Sequence, residues 1–302
     1  MATKKVSGKS KAAKAASKVK SVKSKSVRAQ SSAVTAKVVV PKVQASSAYA
    51  SLRTWNLLLA GLHAVQGIAI LLLSITKLIP VTVQYIAHDP LQSAAQGKNV
   101  LVAASHQSFE INLAYMAAGF FFVSAIARLL AATKFRKQYE ADLSTNVNRV
   151  RWIEYALSAS LLLLAIGLFV GVRDLAVLLA LVGFSIVIHV CTWLAEYSAT
   201  VNKVKTWLSY GVAIVAGSVV WILLALPLIN SAIFGANPTV WQWLVYGVSL
   251  AACVGLALIL PLRLLQRGRW SRATYTERAF TILNAVFQTA VAWLLFAGAL
   301  KP

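Results

Sequence analysis

Polar and ionisable side chains interrupt several long apolar runs of this chain, and those positions are where chemistry could reside. Glu154 sits in "RVRWIEYALSAS" (149–160), with Ser158 four residues on and therefore on the same helix face. His63 and Gln66 lie three apart in "HAVQ" and suit a shared polar cavity. Arg128, His189, Glu196, Asn284 and Gln288 complete the set. Ionisable groups in hydrocarbon cost several kcal/mol, so each such position is a candidate site. A carboxylate at depth needs a cation or stays protonated. Arg128 is the candidate partner of Glu154 by depth; the competing reading has it snorkelling to the interface. For Glu196 an interfacial place is favoured, and for His189 a packed or backbone-bonded one. Glu154 and His63 could exchange protons, but no nucleophile accompanies them. There is no phosphate-binding Gly loop, no nucleophile elbow and no zinc spacing, and Cys191 and Cys253 lie far apart. The reading is that this is not an enzyme and holds no metal.

What must position these groups is a set of seven apolar runs, at about 55–77, 111–133, 151–171, 174–196, 207–229, 241–265 and 278–300. The 302 residues are 59% hydrophobic and 13% charged, with a mean hydropathy of +0.70. Each run approaches the roughly 20 residues that carry a helix across a bilayer. Backbone groups in lipid must bond within their own segment, so the expected fold is all-α, a bundle of seven membrane helices. If Glu154 belongs to a helix capped near Asp142 or Ser144, it lies about ten residues, or about 15 Å, inside.

Charge sets the expected orientation. Residues 1–47 hold eleven Lys and one Arg, and the 2–3, 4–5 and 6–7 connections are basic. Only Lys77, Lys98, Arg173 and Lys301 lie on the opposite side, so the N-terminus is expected in the cytoplasm of a multi-pass cell-membrane protein and the C-terminus outside. The long first connection contains β-prone "VTVQYIA" and "NVLVAA" around a turn-rich stretch, which predicts a short extracellular hairpin.

Residues 1–50 are rich in Lys, Ala and Ser and poor in large apolar groups. They are expected to form a disordered cytoplasmic tail, separate from a transmembrane domain over 51–302. One reading rests the tail on anionic lipid. Another gives it non-specific, salt-sensitive contact with nucleic acid.

Several phrases carry a family resemblance: "RWIEYALSAS" (151–160), "HAVQ" (63–66), "VYG" (245–247), "RWSRATYTERAF" (269–280) and "AVAWLLFAGALKP" (290–302). Together with the topology they make residues 50–302 resemble the heliorhodopsins, seven-helix retinal proteins of inverted orientation. The resemblance implies that Glu154 takes the counter-ion position beside a retinal Schiff base. His63, Gln66, Arg128, Ser158 and Asn284 fall in its inner polar cavity, Trp221 near its chromophore pocket, and Glu196 on an acidic residue ending the fourth helix. It also implies a homodimer. The family's retinal-binding lysine falls on position 288, and there the residue is Gln288. A carboxamide nitrogen is conjugated to its carbonyl and cannot condense with an aldehyde. No covalent retinal is therefore expected. Arg128 would supply the positive charge that the Schiff base no longer provides, as a bidentate partner of Glu154.

Four functions compete. The first is a retinal-free sensory or regulatory protein that signals to an unidentified cytoplasmic protein. The second binds retinal or another polyene non-covalently, with Trp193 and Trp221 as candidate pocket aromatics against plain packing. Transport needs ionisable groups across the whole membrane, whereas here they gather in one half. In the fourth the tail tethers nucleic acid and the helices merely anchor it.

Overall fold

The computed structural model describes residues 47–201, 207–266 and 268–302. In chain order the elements are α1 (Ser47–Leu73), β1 (Leu78–His88), α2 (Pro90–Gln96), β2 (Leu101–Asn112), α3 (Leu113–Ala132) and α4 (Arg136–Ser144). Then follow α5 (Arg149–Val170), α6 (Leu175–Thr200), α7 (Trp207–Phe234), α8 (Val240–Leu264) and α9 (Ala273–Leu295). A 3-10 turn, Gly268–Ser271, precedes α9, and a π turn, Phe296–Leu300, extends it. Seven helices are long and apolar enough to cross a membrane: α1, α3, α5, α6, α7, α8 and α9 with its extension. The expected tail lies outside the described residues except for its last four, which already belong to α1.

Local chemistry explains where the helices begin. Asn112 accepts from Ala114 N at 3.0 Å, Asn148 from Arg151 N at 3.0 Å and Asp174 from Val177 N at 3.1 Å, meeting orphan amides of α3, α5 and α6. Thr239 and Gln242 form a reciprocal capping box on α8. The start of α5 corrects one expectation. Asp142 and Ser144 belong to the separate helix α4, so Glu154 lies six residues from its cap, about 9 Å along the axis. Gly171 ends α5 at φ 113°, a conformation that favours glycine, and the chain turns within three residues into α6.

The hairpin is present and longer than its sequence signal. β1 and β2 pair antiparallel from Leu78↔Asn112 to His88↔Leu101, with a bulge at Val81/Thr82. The turn-rich connection holds α2, whose Pro90 start is capped by Asp89. Thr82 N donates to Arg173 O at 2.9 Å, fastening the hairpin to the α5–α6 turn. The chain order puts the hairpin, the α5–α6 turn and the C-terminus at one end of the bundle. The start of α1, the helix α4 and the α8–α9 connection lie at the other.

Packing divides the bundle along its axis. The hairpin half is filled by Ile70, Leu113, Phe120, Phe121, Ile166, Leu168, Leu181, Leu224 and Leu295, all buried. The opposite half holds a second cluster around Trp152, Tyr155, Ile259, Leu260 and Phe280. Outward faces are apolar too, as at Leu72, Leu194, Leu208 and Ile222. That pattern suits a lipid surround rather than water.

The π turn presses its backbone against α5 and α8. A Cβ built on Gly298 would stand 2.7 Å from Trp241 Cβ and 2.8 Å from Phe169 Cζ. Gly298→Ala is therefore expected to cost about 1–3 kcal/mol through overpacking. Thermal unfolding in detergent checks this; an unchanged midpoint would refute it.

Candidate functional site

α5 supplies the centre of the site because its buried face carries Arg151, Trp152, Glu154, Tyr155 and Ser158 within two turns. Three polar groupings surround that face.

The first is the Glu154 pair. Arg128 Nη2 lies 3.5 Å from Glu154 Oε1, and both side chains are buried. Arg128 Nη1 also donates to Asn56 Oδ1 at 3.5 Å. Of the two sequence readings for Arg128, the geometry favours pairing over snorkelling. The expected bidentate contact does not form: one nitrogen approaches one oxygen, and Glu154 Oε1 lacks a well-formed hydrogen bond. A small cavity of about 10 Å³, lined by Asn56, Arg128, Tyr139, Glu154 and Glu277 among others, adjoins the pair. It has room for about one water molecule.

The second is an ion network that the sequence reading missed. Arg151 pairs with Glu277, and its Nη2 lies 2.6 Å from Glu196 Oε1. Arg263 pairs with the same Glu196 and donates to the Asn146 carbonyl. Trp152 Nε1 donates to Glu196 Oε2 at 2.7 Å, and Asn148 Nδ2 donates to Glu277 Oε1 at 2.7 Å. Two carboxylates and two guanidiniums thus join α5, α6, α8 and α9. Glu196 is wholly buried within the bundle, four residues before the end of α6. A signal existed in the sequence: Arg151 and Glu277 open their apolar runs in "RVRW" and "YTERAF", where a charge reads as a flank.

Tyr139 of α4 closes this network by donating to Glu277 Oε1 at 3.2 Å. Burial, with Glu277 beside it, pushes the Tyr139 phenol well above its usual range. Its folded pKa exceeds its unfolded value of about 10, so its contribution is complete below pH 10 and is lost as pH rises further. Tyr139→Phe is expected to cost about 1–2 kcal/mol at neutral pH and to flatten the loss of stability above pH 10. Melting curves from pH 7 to 11 check both halves of that statement.

The third grouping is a cavity of about 500 Å³ between α5, α6, α7, α8 and α9. Leu162, Trp221, Phe287 and other apolar groups line most of it, and Ser158, Asn284 and Gln288 mark one polar side. Gln288 Nε2 donates to Ser124 Oγ at 2.9 Å and Ser158 Oγ at 3.4 Å. Ile222 and Val254 also line the cavity and are at least half exposed, so it reaches the lipid-facing surface between α7 and α8.

The sequence candidates are thus divided among places. Ser158, Asn284, Gln288 and Trp221 line the large cavity, and Arg128 and Glu154 line the small one. His63 and Gln66 line neither; His63 is fully buried against Phe121, with ring centroids 5.5 Å apart. Trp193 stands outside the large cavity, packed against the second apolar cluster. His189 lines it, with Nδ1 2.7 Å from Ser185 O.

No curated protein matches the chain. The family model described as Heliorhodopsin matches residues 52–300, a range that reaches all seven spans. Heliorhodopsins are in general retinal-binding membrane proteins. The cavity's lining does not fit covalent attachment, because it includes no lysine, and none of the seven spanning helices carries one. Seven spans, the hairpin and a match over nearly the whole described length agree: this chain is a multi-pass membrane protein of the heliorhodopsin family.

Proposed function

We propose that this protein is a heliorhodopsin that forms no retinal Schiff base and acts as a sensory or regulatory membrane protein, neither a pump nor an enzyme. The observation that carries this reading is Gln288 itself. In the cavity wall its carboxamide is bonded to Ser158, and behind the wall to Ser124 of α3, at the position that resemblance gives to the chromophore lysine. The Arg128 contact with Glu154 supports it, since the carboxylate has a cation without a chromophore. The charge asymmetry supports a cytoplasmic N-terminus, with basic loops and tail facing a soluble partner or anionic lipid, and the family analogy supports a homodimer. Against pumping stands the apolar hairpin half, which offers few groups for a proton relay.

The test is to add all-trans-retinal to purified protein, reduce with borohydride and weigh the intact chain. No retained retinyl mass is expected; a covalent adduct would overturn the reading. A second reading, non-covalent binding of an apolar molecule, is favoured by the cavity of about 500 Å³. That volume is within the range of sites for small ligands.

A further inference from the structure

We propose that the outer seam between α1 and α9 binds an anionic phospholipid, with its phosphate on Arg278 and Ser51 and an acyl chain along the apolar wall beyond them. None of the seam residues lines either cavity, so the site is separate from any chromophore.

The charge on Arg278 sets the class of ligand. The arginines buried among the described residues each have a carboxylate: Arg128 has Glu154, Arg151 has Glu196 and Glu277, and Arg263 has Glu196. Arg278 differs. It is exposed, five residues after the start of α9 at Ala273, or about 7.5 Å along the axis. The carboxylate next to it in sequence, Glu277, turns inward to Arg151. Arg269 and Arg272, also exposed, precede α9, whose first turn holds no acid. The described hydrogen bond of Arg278 runs from Nη2 to Ser51 Oγ of α1 at 2.8 Å. A guanidinium carries five N–H donors, so four remain, and the Ser51 hydroxyl can still donate its own proton. Such a cation near the membrane surface, without an acid of its own, fits a phosphate, which arginine grips through parallel hydrogen bonds. Basic seams between membrane helices hold anionic headgroups in the same way. A zwitterionic headgroup suits the seam less, because its own cation competes for the phosphate.

The wall beyond Arg278 accommodates the rest of the lipid. The bond to Ser51 fixes which faces of α1 and α9 adjoin. On α1 that face continues through Trp55, Leu58 and Leu62, at steps of four, three and four residues. On α9 it continues from Arg278 to Ile282, one turn on. All four of these apolar side chains are exposed. Because α1 and α9 start at the same end of the bundle, both stripes pass from polar to apolar in the same direction. Trp55 takes the interfacial level that suits an amphipathic ring. Leu58, Leu62 and Ile282 follow at the level of the hydrocarbon.

The experiment places the full chain in nanodiscs of mixed phosphatidylglycerol and phosphatidylcholine, releases it, and identifies the retained lipid by native mass spectrometry. Phosphatidylglycerol is expected to be retained about fivefold in preference, the worth of one basic group at an anionic surface. Arg278→Gln should abolish that preference and Arg278→Lys should keep most of it. Arg53→Gln should leave it unchanged, since Arg53 is also exposed but lies two residues from Ser51 and so on another face of α1. If Arg53→Gln removes as much of the preference as Arg278→Gln, the basic end of the bundle acts as a general surface and the proposal is overturned. Displacement of the lipid by inorganic phosphate would overturn it in favour of a free anion. Loss of dimers in Arg278→Gln with no change in lipid would mean that a second copy covers the seam instead. No preference in the wild-type protein sinks the proposal whether or not the variants fold.

Discussion

Arg151→Met is expected to destabilise the protein by about 3–5 kcal/mol, the largest effect of any single substitution considered. Arg151 is wholly buried and is the only group that touches both Glu277 and Glu196 among the described ion pairs. Its guanidinium also lies over the Trp152 and Phe280 rings, at 4.6 and 4.2 Å from their centroids. Removing it leaves two buried carboxylates with Arg263 alone, and Arg263 reaches only Glu196. An uncompensated buried charge, rather than a lost attraction, sets the magnitude. A double-mutant cycle isolates that cause. Arg151→Met with Glu277→Gln should lose clearly less than Arg151→Met alone, because the second change removes the orphaned charge. If the double variant loses the sum of the two single losses, the charge argument is wrong and packing explains the effect.

The second large effect is spectroscopic. Gln288→Lys is expected to form an imine with all-trans-retinal, its amine condensing with the aldehyde and releasing water. The Arg128 contact makes its colour conditional. A protonated imine at this site would compete with Arg128 for Glu154, which already lies 3.5 Å from the guanidinium. The single variant should therefore absorb in the near-ultraviolet at neutral pH and turn visible only on acidification. Adding Arg128→Gln removes the competing cation and frees Glu154. The imine pKa should then rise by about 1–3 units, with a visible band at neutral pH. Equal imine pKa values in the two backgrounds would show that Arg128 does not hold Glu154. Failure of both to bind retinal would show that the cavity no longer admits it.

The seven helices, the hairpin and the family were legible from the sequence because their causes are local. Apolar length makes a span, and "GVRD" has too few residues to do anything but turn. "HAVQ" and "RWIEYALSAS" carry their resemblance wherever the helices pack. Caps were less legible. Asp142 and Ser144 are good caps by residue type, and only the separate helix α4 shows that Asn148 begins α5 instead. Candidate polar positions were legible as well, since a charge or amide within an apolar run stands out by composition alone. Their partners were not. Glu196 meets Arg151 and Arg263 from 45 and 67 residues away, and Arg128 meets Glu154 from across a helix interface. A helix that is apolar all round gives no periodic cue to which face turns inward, so its few polar side chains cannot be aimed from sequence. Trp193 and Trp221 show the consequence, being the same residue type in similar surroundings, yet only Trp221 reaches the cavity. The sequence determined which groups must be buried in the membrane. Close packing of the seven helices decided which of them meet, because only tertiary contacts bring together donors and charges so far apart along the chain.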